Sequence, residues 1–463
     1  MKKTTSKAEH ILSQLSILGM FLTAFILGGI TVHMDIPPGS FLKQAMAGGQ
    51  AYYTKLRYGT IDYNIYLWRD VRFPEDGVTV YNREKAYDGL TLVTSGDFSG
   101  AQLLDMDGKV VHEWRASFKK AFPVAPHVKG HVREEWVYWR KAWLFPNGDV
   151  IAVYEMSGDT PYGYGLAKLD KDSNVIWNYP ERVHHDVWVE EDGTIYTLAH
   201  MILNRHPADL WFIGVPYIED FIVVLSPEGK EINRISITEA IFRSDYVNEV
   251  IKLQRNYQYA GDFSHINTVR IIPESLDGKL PFLKKGLLLT ASRHMNYVGL
   301  IDIKEKKFVW MQTGVWHLEH DPEFTEKGTL FLFDNYGDHL RTRHSRVIEY
   351  DPLSMTILWR YDGPKDRPIF SDIRGSKQLL PNGNILITES DGGRLLEVTR
   401  DKELVWEYVN PAKEMKGKKK KIAVLCAAKR FAREELDFLD GKQTAMGSEA
   451  IGQDSKSGPD KTP

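Results

Sequence analysis

The chain has 463 residues, 43% apolar and 26% charged, which are the proportions of a folded globular protein. Its net charge of −3 offers no basic field to attract nucleic acid. Cys426 is the single cysteine, which excludes both an intramolecular disulfide and a cysteine-based zinc site.

The first element in chain order is an uncharged run from Ile11 to Val32. Its 22 positions are enough for a helix to cross a hydrocarbon core. Lys2, Lys3 and Lys7 precede the run and Asp35 follows it. The positive-inside rule therefore puts the N-terminus in the cytoplasm and everything after Pro37 outside. The expected protein is single-pass in the inner membrane, with its folded part on the periplasmic or extracytoplasmic side. A cleaved signal peptide is the rival reading. Ala45-Met46-Ala47 has the small residues of a cleavage site, but it lies more than ten residues past the apolar run. The run has no polar face, which argues against a buried soluble helix. Residues 1–40 thus read as a cytoplasmic stub and anchor, and 41–89 as a linker and N-terminal extension.

From Leu90 to Asn410 one phrase recurs: four short apolar strands separated by polar turns, the last often ending in Trp. The final copy is the clearest. Ser376 to Leu380 leads into Pro381-Asn382-Gly383, a tight-turn signal, and three more strands follow, the last carrying Trp406. Pro146-Asn147-Gly148, Glu191-Asp192-Gly193 and Glu326-Lys327-Gly328 mark equivalent turns. Trp114, Trp177, Trp310, Trp359 and Trp406 stand at equivalent strand ends. Four-stranded units at a period of about 45–60 residues read as propeller blades. The expected fold is all-β, a six-bladed β-propeller over 90–410 with one N-terminal transmembrane helix. Each blade buries its faces only against neighbours, so the ring must close. The first copy lacks a strand, which either Val78 to Tyr81 or Ile422 to Ala427 is expected to supply. Ala116 to Glu135 and Thr238 to Gly261 read as loops over one face, and Gly417 to Lys421 as a solvated basic surface. Residues 411–440 form a C-terminal extension with closure of the propeller as one role. The tail, 441–463, is rich in Gly, Ser, Asp and Lys and reads as disordered.

The first strand of each blade lines the central channel of a propeller, so residues at those openings should converge. The third blade opens on His184-His185-Asp186 and the fourth on Ser264-His265-Ile266-Asn267. The fifth opens on His317-Leu318-Glu319-His320-Asp321 and the sixth on Ser371-Asp372-Ile373-Arg374. Ser292-Arg293-His294 and Asp334-Asn335 follow the second strands of the fourth and fifth blades. Adjacent strand residues face opposite ways, so His184 and His185 must split, and His185 is the expected inward one. Histidines gathered with Arg293 and Asn267 make a pocket of donors, with no matching set of acids. Such a pocket suits an anionic, oxygen-rich group such as sulfate or phosphate.

At these residues the chain resembles the bacterial arylsulfate sulfotransferase family, a six-bladed propeller group. The resemblance spans roughly Leu90 to Asn410. It rests on His-His-Asp at His184, His-x-Asn at His265, Ser-Arg-His at Ser292, His-Asp at His320 and Leu-Phe-Asp-Asn at Leu332. It implies transfer of a sulfuryl group from a phenolic sulfate ester to a phenol without a nucleotide donor. The absence of a Walker-type phosphate loop agrees with that. The resemblance places the covalent nucleophile on His320, with Arg293, Asn267 and His265 holding sulfuryl oxygens. His185 or His265 would protonate the departing phenolate and deprotonate the incoming phenol. His184, Arg374, Asn335 and His294 complete the expected substrate-binding set. Neither a metal nor a cofactor is expected, and the partners are small phenolic sulfates, phenols and the membrane. Unlike the soluble members, this chain keeps an anchor and a lone cysteine, and Lys416 to Leu439 fits no family motif. Two alternatives stand beside this reading. One is a metal-dependent hydrolase using His185, His265, His317 and His320 as zinc ligands. The other is a non-catalytic scaffold tethered to the membrane.

Overall fold

A computed structural model describes residues 7–34, 36, 37, 39, 64–159, 161–205, 216–256, 261–337 and 344–439. Lys2, Lys3, Asp35, Ala45 to Ala47, most of the linker and the tail from 441 onward lie outside these described residues. The chain divides into two compact units, Met1–Tyr63 and Asn64–Pro463.

In the first unit, helix Lys7–His33 runs for 27 residues, about 40 Å at 1.5 Å per residue. Among the described residues it is the one helix long and apolar enough to cross a membrane, with a mean hydropathy of 2.2 over an 18-residue stretch within Glu9–His33. Three of its hydroxyls are satisfied within the helix itself. Ser16 Oγ donates to the Leu12 carbonyl, and Thr23 and Thr31 turn back on Gly19 and Gly28 in the same way.

The second unit is mostly β. Counting the described residues, its strands form seven sheets, all antiparallel. The first sheet is ordered Leu425–Phe431, Leu90–Ser95, Gly100–Leu104, Val110–Arg115. The second runs Val137–Leu144, Val150–Met156, Gly163–Leu169, Val175–Tyr179, and the third Val183–Val189, Ile195–Leu203, Tyr217–Leu225, Glu231–Ser236. The fourth runs Ile266–Ile271, Leu288–Ser292, Tyr297–Asp302, Lys307–Thr313, and the fifth His320–Phe324, Leu330–Asp334, Arg346–Asp351, Thr356–Tyr361. The sixth runs Ser376–Leu379, Ile385–Glu389, Arg394–Val398, Leu404–Val409, with Gly77–Tyr81 added at its outer edge. Both candidate segments for the missing strand are therefore strands. Leu425–Phe431 completes the first sheet, while Gly77–Tyr81 pairs with the sixth instead.

The turns explain the repeated Asn-Gly and Asp-Gly pairs. The Asn147 and Asn382 side chains each accept a backbone N–H two residues on, at Asp149 and Asn384. Gly148 and Gly383 then take φ of +86°, a left-handed conformation open to glycine without steric cost.

Almost every middle strand is buried on both faces, and each apolar cluster joins two successive sheets. Leu92 and Trp114 of the first pack with Trp139 and Tyr154 of the second. Ile151 and Val153 continue to Val183 and Val223 of the third, and Leu198 and Ile222 to Ile266 and Leu288 of the fourth. Leu289 and Val298 meet Leu330 and Tyr350 of the fifth, and Phe331 and Val347 meet Ile385 and Leu396 of the sixth. Leu386, Leu395 and Trp406 of the sixth then pack with Val93, Leu104 and Leu425 of the first. Each such side chain contributes about 1.5–3 kcal/mol by leaving water. The recurring tryptophans tie the same neighbours together. Trp114 Nε1 donates to the Gly148 carbonyl, Trp177 to Pro227, Trp359 to Arg400 and Trp406 to Met106. Each bond reaches from the last strand of one sheet into a turn of the next.

The seventh sheet is small: Trp68–Asp70, Lys419–Ala423 and Lys413–Lys416. Within the run Gly417 to Lys421, expected as a solvated basic surface, residues 417–420 are exposed. That run is the bend and arm of a hairpin, and Lys421 is buried against Asp70 at 2.8 Å. The expected loops also contain helices, at Phe118–Ala121, Ile237–Phe242 and Val247–Asn256.

Candidate active site

The first strands of five sheets share a defect. Their pairing slips between Trp139 and Lys141, His184 and Val187, Ile266 and Thr268, His320 and Glu323, and Leu425 and Ala427. A slip leaves a residue unpaired and re-aims its side chain. Arg140, His185, Asn267, Asp321 and Cys426 lie within these slips, and His320 stands at the edge of one. His185 and Asp321 take φ of +55° and His265 takes +44°, a region costing a residue other than glycine about 1–2 kcal/mol.

Arg140, His185, Asn267, His320, Asp321 and Cys426 line a cavity of about 250 Å³. Of the nine residues picked from the sequence, His185, Asn267 and His320 are on its wall; the other six do not line it. Arg140, Lys141, Arg270, Lys377 and Lys429 also line it and were not singled out.

His320 is 1% exposed. Its Nδ1 lies 2.7 Å from Asn335 Oδ1, while Asn335 Nδ2 donates to the carbonyls of Ser371 and Arg374 at 2.7 and 2.8 Å. Two carbonyls can only accept, so the Asn335 amide is fixed with its oxygen toward the ring. His320 must then carry its proton on Nδ1, which leaves the lone pair on Nε2. That Nε2 is buried without a hydrogen-bond partner among the described residues. Burial, then the charges of Arg293 and Arg140, hold the imidazole well below its ordinary pKa, so it stays neutral.

His185 stands beside it, with ring centroids 6.3 Å apart. Its Nδ1 meets His184 Nδ1 at 2.8 Å, and its backbone N–H is held by Glu155 Oε1. His184 sits behind, fully buried and stacked on His200 at 4.5 Å. His265 lies 5.1 Å from His185, and its Nδ1 meets Asp262 Oδ2 at 2.5 Å. The carboxylate accepts, so His265 holds its lone pair on Nε2. Burial opposes ionisation of Asp262, but His265 holds it below the usual carboxylate range. His294 Nδ1 contacts the Asp262 carbonyl at 2.8 Å. Arg293 donates to the Asp372 carbonyl and keeps a buried Nε with no hydrogen-bond partner. Asn267 Nδ2 donates to the Glu319 carbonyl at 2.6 Å. Arg374 reaches the Tyr66 carbonyl and the Tyr138 hydroxyl, at 3.0 and 2.9 Å.

The expectation of a pocket without acids is corrected. Asp186, Asp321 and Glu323 line the cavity. Each is matched by a cation: Lys141 on Asp186, Arg270 on Asp321, and Lys377 on Glu323. The His-Asp pairs of the sequence put an acid directly after each inward histidine, and the slipped register turns both toward the cavity.

Two groups among the described residues have ligand atoms close enough to share a metal: His184–His200–Asp220 and Asp262–His265–His294, each within 4.8 Å. The quartet His185, His265, His317 and His320 is not gathered in this way. In the second group His265 Nδ1 is already engaged by Asp262. In the first, His200 Nε2 accepts from Gly163 N–H, which leaves its proton on Nδ1.

Burial depresses the pKa of His185, His200 and His320 well below 6.5, and that of His294 to about 3. These rings stay neutral in the folded state while an unfolded chain takes up protons below about 6.5. Stability is therefore full above pH 6.5 and falls as pH drops, by about 1.4 kcal/mol per pH unit for each such histidine. Melting temperature is expected to fall steeply between pH 6.5 and 5. A flat profile there contradicts the burial of neutral histidines.

A family model described as arylsulfotransferase (ASST) matches residues 141–411. No curated protein matches the chain. Among solved structures, a protein of unknown function from Bacteroides caccae is 11% identical, covering 74% of this chain and 99% of its own, at a TM-score of 0.47. A streptogramin B lyase is 13% identical, covering 79% and 97%, at 0.38. The WD40 β-propeller domain of Doa1 is 12% identical, covering 80% and 94%, also at 0.38.

Proposed function

The chain belongs to the arylsulfotransferase family, and from that premise we propose that it moves a sulfuryl group between phenols through His320, without a nucleotide donor. The observation that carries this reading is the unpartnered Nε2 of a neutral His320, oriented by Asn335 and set on a cavity wall with Arg140 and Asn267. A lone pair held in place and kept neutral is what covalent catalysis by imidazole needs.

In the first half-reaction, Nε2 attacks sulfur and the S–O bond to the aryl group breaks. The departing phenolate takes a proton from His265 Nε2, taken up beforehand from solvent beside the Asp262 carboxylate; His185, whose buried ring stays neutral, has none to give. The product is an N-sulfuryl imidazole whose Nδ1–H still donates to Asn335. In the second, a phenol oxygen attacks sulfur and gives its proton to the same histidine. The N–S bond breaks and its electron pair returns to Nε2. Asn267 and Arg140, both on the cavity wall, would hold the sulfuryl oxygens as charge shifts onto them, with the Arg293 charge acting on the same ring.

The six larger sheets are read as six blades of a closed propeller. Support comes from the circuit of apolar clusters and from Trp406, which bonds the sixth sheet to a turn of the first. Leu425–Phe431, from the C-terminal extension, would close the ring by completing the first blade. The N-terminal helix would anchor the enzyme with the propeller on the periplasmic side, as Lys2, Lys3 and Lys7 favour.

With 4-nitrophenyl sulfate and phenol, the detergent-solubilised full chain is expected to release 4-nitrophenol in a phenol-dependent way and to form phenyl sulfate, unaffected by chelators. Release that needs no phenol and stops with chelator supports the metal hydrolase instead.

A further inference from the structure

We propose that the cavity has a second anion subsite at Lys429, so that the phenolic substrates it takes carry a second negative group at the end remote from the reacting oxygen. This rests on the sulfuryl-transfer reading for its substrate class, and on the cavity itself for the subsite.

Five cations line the cavity: Arg140, Lys141, Arg270, Lys377 and Lys429. Three of them are matched to the three carboxylates on the same wall, as described above. Two cations are left over. Arg140 donates to the Cys426 carbonyl at 2.9 Å and belongs to the end where its charge acts on His320. Lys429 makes no ion pair with any described carboxylate. Its ammonium lies 4.8 Å from the Trp143 ring centre and 5.0 Å from that of Phe431.

The two unmatched cations meet one strand at separate points. Cys426, which holds Arg140, and Lys429 are three residues apart on Leu425–Phe431, about 10 Å at strand rise. The wall between them is small or aromatic. Ala427, Ala428 and Ala142 leave room, and Trp143 and Trp188 meet edge to face with centres 5.3 Å apart. An aryl ring fits such a wall, with its sulfated oxygen at His320 and an acidic substituent at Lys429. Lys429 is an exposed residue, yet protein groups crowd its ammonium. Desolvation, then Lys141 and Arg270, bring its pKa down to about 8. A cation held among like charges gains from a bound anion more than one already paired.

The probes are 3-(4-hydroxyphenyl)propanoate and its neutral counterpart 4-propylphenol. Their affinities for the solubilised full chain are measured by calorimetry at pH 7, for wild type, Lys429→Met and Lys429→Arg. Wild type is expected to favour the carboxylated phenol by about tenfold, the size of one favourable charge pair in a partly dry site. Lys429→Met should abolish the preference and Lys429→Arg should keep most of it. Equal affinities in wild type, or a preference that survives Lys429→Met, overturn the subsite. Transfer to both phenols, measured in parallel, tests the sulfuryl reading separately. Transfer without preference removes the subsite alone, while preference without transfer upholds the subsite and removes the sulfuryl chemistry.

Discussion

His320→Ala is expected to lower sulfuryl transfer by at least about 10⁴-fold, the scale on which removing a covalent nucleophile acts. The reason lies in how the neighbouring imidazoles are held. His185 and His265 are also imidazoles, but their Nδ1 atoms are engaged by His184 and Asp262. Of the three, His320 alone is held by a neutral amide. An amide can accept the Nδ1 proton but cannot remove it. The sulfuryl imidazole formed on His320 would therefore keep that proton, stay cationic and remain a good leaving group for the second phenol. Turnover is measured with 4-nitrophenyl sulfate and phenol, and folding by the melting temperature. The variant should fold, since it loses a desolvated ring rather than a packed apolar one. Activity within tenfold of wild type, in a folded variant, contradicts the assignment.

Asn335→Leu carries the second largest expected effect, a loss of about 10²–10⁴-fold in turnover, as when a catalytic histidine loses the acceptor that fixes its tautomer. Leucine has a similar volume but cannot accept from His320 Nδ1. The ring is then free to put its proton on Nε2, the atom that must attack. The Arg374 carbonyl also loses its donor, at about 1–3 kcal/mol for a buried group left unpaired, while the Ser371 carbonyl keeps Ser345 Oγ. The two effects separate by measurement. A structural defect lowers the melting temperature and leaves the turnover of the folded fraction intact. A tautomer defect slows formation of the sulfuryl-enzyme in single-turnover experiments below the melting transition. Full single-turnover rates in folded Asn335→Leu contradict the positioning role.

Much of this was legible in the residues. The Asn-Gly and Asp-Gly turns, the recurring tryptophans and the uncharged N-terminal run are local signals with local causes, and they correspond to turns, to positions within fourth strands rather than at their ends, and to a helix. The pairing of distant strands is not local. Val78 to Tyr81 and Ile422 to Ala427 look equally able to supply a missing strand, and only the assembled sheets separate them. The site was legible in part. His185, Asn267 and His320 were found because a histidine or asparagine recurs at strand openings. Arg140 was missed because its strand was taken to begin near Trp143, and the strand in fact starts at Val137. Reading that strand back by one turn of register would have placed Arg140 beside His185. The cavity acids were missed because strict alternation sends the residue after an inward histidine outward. The slips in the first strands break that alternation, and no residue type announces them. Arg374 and Asn335 were expected at the substrate. Arg374 is instead engaged by Tyr66 and Tyr138, and Asn335 acts on His320.

The measurement that bears most directly on the account is intact mass after brief exposure of the full chain to an aryl sulfate, with no acceptor present. Wild type is predicted to gain one sulfuryl group, to lose it when phenol is added, and to form none as His320→Ala. Wild-type protein that stays unmodified while it turns over, or His320→Ala that still takes up the group, would contradict covalent transfer through His320.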